Sequence, residues 1–185
     1  PKMMDNDGLD HMFLMEPALA RGVVDFGREQ GATAFMVLYA AISLVLSMVA
    51  GQEDVITGVN VAGREHPATA DLVGFFVNTL VVRVDHTGRP TFPELLTQVR
   101  QVLLAAFSHQ EVPFEILVEE LQPVRDPSMT PLFQVNVNYQ SELLPPGAFA
   151  PGAGGALTLR PATALLRGVG GSAEVVPRKA KFDVQ

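Results

Sequence analysis

The hydrophobic pattern of the chain changes period several times, and each change marks an element. Leu19, Val23 and Phe26 fall with Gln30 on one helical face, Pro17 stands in the first turn where its missing N–H does no harm, and Gly31 closes the segment. Gly22 and Gly27 each weaken this helix by roughly 1 kcal/mol relative to alanine, so packing has to hold it. Thr33 then caps a second helix that is apolar on most of its circumference and runs to Ala50. The Val/Ile/Thr-rich run Glu53 to Val61 reads as a strand, and a polar loop from Arg64 to Asp71 leads to a second run, Val73 to Arg83, read as a buried strand ending at the turn Asp85-His86-Thr87-Gly88. Thr91 and Glu94 form a Thr-x-x-Glu box ahead of Phe92, Leu95, Leu96, Val99, Val102, Leu103, Ala106 and Phe107, which recur at helical spacing.

A break at His109 to Pro113 precedes a short helix, Pro113 to Leu121, with Phe114, Leu117, Val118 and Leu121 on its apolar face. After a proline-bearing loop from Pro123 to Pro131, Leu132 to Tyr139 alternates Phe133, Val135, Val137 and Tyr139 with Gln134, Asn136 and Asn138, the period of a strand with one polar face. Leu9 to Met15, Leu157 to Leu159 and Ala180 to Val184 are further strand candidates, and the glycine- and proline-rich stretch Leu144 to Ala156 predicts a mobile loop. Strands interleaved with helices predict an α/β layered domain.

Composition narrows the function classes. The 185 residues hold 48% hydrophobic and 18% charged side chains with a net charge of −7, which suits a folded domain and argues against a nucleic-acid surface. The absence of cysteine removes disulfides, thiol nucleophiles and thiolate metal sites, and fits a cytoplasmic location. Residues 1 to 30 carry no basic start followed by an uninterrupted apolar core, so no secretory signal is expected. Ala34 to Ala50 approaches the length of a membrane span, but acids bracket it and no lysine or arginine anchors its ends, so it is expected to be a core helix and not a membrane contact.

Few residues offer chemistry. His11, His66, His86 and His109 share no metal-site spacing, Gly168-Val169-Gly170-Gly171 lacks a following helix pattern, and Ser43 and Ser47 lie in the apolar helix with no histidine or acid nearby in sequence. His109, beside Gln110, Glu111 and Glu115, could serve as a base, but its place at a helix end favours capping of the last carbonyls. Arg125-Asp126 reads as a local ion pair shaping a loop. Asn78 is the informative residue: an amide inside an apolar run needs partners, and either pins a neighbouring loop or faces a ligand.

Three segments in order, Val73-Gly74-Phe75-Phe76-Val77-Asn78-Thr79 with Arg83, His109-Gln110-Glu111-Val112-Pro113-Phe114-Glu115, and Arg125-Asp126-Pro127-Ser128-Met129-Thr130-Pro131-Leu132, resemble signature motifs of nonribosomal peptide synthetase condensation domains. Gly31 to Leu38, Gly51 to Val55 through Gly63-Arg64, and Lys181-Phe182-Asp183 resemble the family's flanking elements. The resemblance implies most of the C-terminal lobe of a chloramphenicol acetyltransferase-like pseudo-dimer, an α/β layered mixed sheet with packed helices, with the whole of residues 1–185 in that one lobe. The family's catalytic motif, His-His-x-x-x-Asp-Gly, belongs to the other lobe and does not occur in these residues.

By that resemblance the parent protein joins a carrier-bound acyl or peptidyl thioester to a carrier-bound aminoacyl amine in a tunnel between the lobes. The resemblance places no catalytic residue in this chain, which is expected to be inactive alone. Asn78, Gly74 and Phe76 would face or shape the tunnel, while Arg83, His109, Pro113, Phe114, Arg125 and Asp126 would be structural. No metal or intrinsic cofactor is implied, since substrates ride on the phosphopantetheine of peptidyl and aminoacyl carrier proteins. Met129-Thr130 departs from the Arg-Asn usual there, which puts a charged contact from that loop in doubt, and Arg167 to Lys179 lies about where the family sends a latch to the other lobe. The alternative is a noncatalytic module of the same shape that recruits carrier proteins or a tailoring enzyme such as an oxygenase. A further alternative is a stand-alone acyltransferase half that assembles with a partner chain.

Overall fold

The computed structural model describes the backbone of residues 7–8, 15–69, 71–139 and 178–179. The strand candidates at 9–15, 157–159 and 180–184, the glycine-rich pieces at 144–156 and 167–177, and His11 lie wholly or almost wholly outside the described residues. Helix α1 spans Pro17–Glu29 and α2 spans Ala34–Ala50. Strand β1, Asp7–Gly8, pairs antiparallel with β5, Arg178–Lys179. The main sheet is formed by β2 (Asp54–Val61), β3 (Asn78–Asp85) and β4 (Val135–Val137) in the order β3-β2-β4, with β2 antiparallel to β3 and parallel to β4. Helices α3 (Phe92–Ser108) and α4 (Phe114–Leu121) lie between β3 and β4 in the chain.

Alternation along the strands decides the layers. Val55, Thr57 and Val59 share one face with Leu80, Val82 and Val84, and α2 and α3 pack there through Met36, Val37, Tyr39, Ala40, Leu95, Leu96, Val99 and Leu103. Tyr39 is fully buried and its hydroxyl meets Thr57 Oγ1 at 2.5 Å; burial pushes its pKa up to about 12 against the opposing pull of that bond. The opposite face carries a polar row, in which Asn60 Oδ1 accepts from Thr79 Oγ1 and from Asn136 Nδ2, each at 3.1 Å.

The caps form as their residues require. Thr33 Oγ1 accepts the Met36 N–H at 3.3 Å, Gly51 ends α2 at φ 63°, and the Glu94 carboxylate reaches back to the Thr91 N–H at 2.8 Å. A bond from the Thr91 hydroxyl, with that from its N–H second, holds the Glu94 carboxyl below its usual range. Gly27 is a contact residue: a Cβ there would stand 2.9 Å from the Ala32 carbonyl oxygen.

Several expectations need correction. The buried strand from Val73 to Arg83 is shorter and starts at Asn78, with Val73 and Phe75 almost wholly exposed. The partner strand explains it: β2 ends at Val61 opposite Asn78, and the chain turns away at Gly63 with φ 65°, which leaves residues 73–77 nothing to pair with. The strand expected over Leu132 to Tyr139 keeps only Val135–Val137. Leu19 and Leu121, assigned to apolar faces, are exposed. The second helix is a core helix in its first half, whereas Val45, Met48 and Val49 in its second half are open. No single helix among the described residues is long and apolar enough to cross a membrane; α1 and α2, bent by 104°, pass that test only as a pair, by length and composition.

Candidate functional site

Asn78 opens β3, and its side chain is used to capacity. Nδ2 donates to the carbonyls of Gln110 at 2.8 Å and Val112 at 2.7 Å, while Oδ1 accepts from the N–H groups of Thr79 at 2.9 Å and Phe114 at 3.1 Å. An amide offers two donors and one oxygen with two lone pairs, so all are taken. One strand residue thereby fixes the whole turn from α3 to α4. Of the two readings open for it, loop pinning is what its hydrogen bonds display.

The contacts continue beyond that turn. Phe114 meets Phe133 edge-on with ring centroids 5.6 Å apart, and Phe133 lies so close over Gly58 that a Cβ on Gly58 would come within 2.5 Å of the ring. Asn78, Phe114 and Phe133, which leads into β4, are therefore linked in one chain of contacts. Pro113 precedes α4 in extended conformation, as its fixed φ favours.

Gly74 and Phe76 sit just ahead of Asn78 on the loop from Arg64. Arg64 Nη1 donates to the carbonyls of Thr69 and Leu72, the latter at 2.9 Å, and Nη2 to that of Gly74 at 3.4 Å. Its guanidinium lies 4.5 Å from the centre of the Phe76 ring. A Cβ on Gly74 would stand 3.0 Å from that ring, and one on Gly63 would collide with the Phe76 carbonyl oxygen.

The remaining residues are placed elsewhere. Arg83, toward the far end of β3, pairs with Asp54 across the strands at 2.8 Å. His109 does end α3, but through its backbone N–H to Ala106; its side chain is exposed and forms no hydrogen bond among the described residues, so it caps no carbonyl. Arg125 and Asp126 do not pair. Asp126 Oδ1 instead accepts from the Ser128 hydroxyl at 2.6 Å and N–H at 2.8 Å, bonds that lower its pKa and fold the loop on itself. That loop and α4 border a surface hollow of about 520 Å³ lined by Val118, Val124, Arg125, Met129 and Leu132. No group of three or more acidic or histidine side chains converges as a metal site among the described residues.

His86 is a feature that its sequence neighbours do not announce. It is buried where β3 leaves the sheet, its Nε2 lies 2.8 Å from Ser43 Oγ, and its Nδ1 has no partner among the described residues. Burial holds its pKa below the usual value, against the opposing field of Asp85.

The sequence matches the model of the condensation domain over residues 4–150. The chain belongs to the condensation domain family. A stretch of 135 residues is 45% identical to a linear gramicidin synthase of Brevibacillus parabrevis, covering 73% of this chain and 3% of that protein. Another of 130 residues is 48% identical to a probable non-canonical nonribosomal peptide synthetase of Salinispora arenicola, covering 70% and 2%. Among solved structures, a holo four-domain nonribosomal peptide synthetase bound to AMP and glycine superposes with a TM-score of 0.73 at 23% identity, over 76% of this chain and 11% of that one. The X-domain from teicoplanin biosynthesis gives 0.69 at 23% identity, over 74% and 30%. The condensation-domain chain thus spans a small fraction of the proteins it resembles. Its three-stranded mixed sheet with packed helices is part of the fold these structures share.

Proposed function

We propose that this chain is the larger part of the C-terminal lobe of an amide-forming condensation domain. It would work with an N-terminal lobe of the same domain and with peptidyl and aminoacyl carrier proteins in the cytoplasm. The parent reaction is attack of a carrier-bound aminoacyl nitrogen on a carrier-bound acyl thioester, which forms the amide and releases the donor carrier's pantetheine thiol. The family match over residues 4–150 carries this reading. The absence of His-His-x-x-x-Asp-Gly from the 185 residues supports a division of labour in which the acid/base histidine comes from the other lobe.

In this reading the chain supplies a rigid wall. Gly74 and Phe76 line it, and Asn78 buttresses it from behind through the α3–α4 turn. The test is product formation from carrier-bound donor and acceptor, with this chain alone and then with a separately made N-terminal lobe. Product in the mixture only supports the two-lobe enzyme. Product from the chain alone would overturn the assignment of the base to the other lobe. Two folded pieces that bind carriers without product would favour a recruiting module.

A further inference from the structure

We propose that Arg64 is the positioning residue that holds the Gly74–Phe76 stretch in place, an inference that rests on the wall assigned above. The chain leaves the sheet after β2 and returns to it at β3, and its two ends touch: only a glycine at 63 leaves room for the Phe76 carbonyl. What lies between has one 3₁₀ turn, Pro67–Thr69, and no strand among the described residues. Such a loop is held by its own side chains, and here the side chain inside it is Arg64.

Three carbonyls of the loop, those of Thr69, Leu72 and Gly74, accept from one guanidinium, and the Phe76 ring covers it. No carboxylate pairs with Arg64 among the described residues, so carbonyl dipoles and a ring face hold this cation. The apolar side chains of Leu72, Val73 and Phe75 are exposed, so the loop does not fold by burying its own hydrophobic residues. Arginine is required for geometric reasons: its planar fork presents five donors in fixed directions and stacks on a ring, whereas a lysine ammonium is a compact point charge without that fork. The segment from Gly74 to Asn78 is consequently held at both ends, by Arg64 on one side and by the carbonyls of Gln110 and Val112 on the other. A wall fixed in this way keeps reactants aligned, and loss of alignment falls on turnover.

The experiment compares Arg64→Lys, Arg64→Gln and Phe76→Ala with the parent in the intact two-lobe domain. It measures condensation under saturating carrier-bound donor and acceptor, KM for each carrier protein, Tm, and amide exchange over residues 72–77. For Arg64→Lys the expected result is a kcat lower by about 10- to 100-fold, with little change in KM or Tm and faster exchange in that stretch only. Arg64→Gln keeps two donors but loses the charge over the Phe76 ring, and its kcat should fall at least as far; it also serves if the lysine variant does not fold. Normal turnover in both Arg64 variants with slow turnover in Phe76→Ala would overturn the role of Arg64 and leave the wall standing. Normal turnover in all three would overturn the wall and the proposal together. A lower Tm with unchanged kcat per folded molecule would reduce Arg64 to a structural residue.

Discussion

At the scale of single residues, two inward-facing polar side chains behave in opposite ways. Asn78 satisfies four hydrogen bonds and leaves none of its own capacity unused, so Asn78→Ala strands two carbonyls and one N–H of the α3–α4 turn. Denaturant unfolding should show a loss of about 2–4 kcal/mol, at roughly 1 kcal/mol per bond. Asn78→Asp keeps both acceptor contacts but turns a charged oxygen toward the carbonyls of Gln110 and Val112, and it should be less stable than Asn78→Ala at pH 7 and recover as the pH is lowered. Equal Tm values for the two variants across pH would show that those carbonyls do not depend on Nδ2. His86 is only half satisfied. Because its folded pKa lies below that of the unfolded chain, the unfolded state takes up the proton first as pH falls below about 6.5. Tm should therefore drop between pH 7 and the depressed folded pKa and level off below it, and His86→Gln should flatten this part of the profile.

At the scale of elements, packing between segments distant in sequence sets the outcome. Gly58→Ala forces a methyl into the Phe133 ring and should destabilise by about 1–3 kcal/mol, the usual range for overpacking. Phe133→Leu in the same chain should restore part of the loss, as a thermal-melt double-mutant cycle would show. Helices were legible because their signals are local: Thr33, the Thr91–Glu94 pair and the spacing from Phe92 to Phe107 carry their own boundaries. The start of β3 was not, because an apolar run from Val73 to Val77 looks alike whether or not β2 reaches it, and β2 stops at Val61. Asn78 stood out as an amide in an apolar run, but its partners on the α3–α4 turn lie 32 to 36 residues away and have no local signature. Gly63-Arg64 stood out only through the family resemblance, and the role of the Arg64 side chain has no local signature for the same reason, since it bonds to carbonyls, which every residue has. His109 and Arg125 stand out by side-chain type, and both are exposed.

At the scale of the molecule, apolar side chains at Val73, Phe75, Val45, Met48 and Val49 face solvent on this chain. Under the proposed two-lobe reading, the other lobe would cover some of these side chains. Mixing with a folded N-terminal lobe should raise the Tm of this chain and lower its binding of an apolar dye, and Val73→Ser with Phe75→Ser should abolish the effect if the loop is the contact. The parallel pairing of β2 with β4 has a different consequence, for the order in which the sheet is made. Asn60 and Asn136 are 76 residues apart in the chain. At a synthesis rate of about 5–20 residues per second, β2 therefore emerges roughly 4–15 seconds before its parallel neighbour exists. Late in that interval, once β3 and α3 have emerged, β3 can cover one side of β2 while its other side presents unpaired N–H and C=O groups that any passing extended segment can engage. Completion of this sheet thus waits on the ribosome, and a translational pause before Val135 would lengthen the period in which mispairing competes with folding.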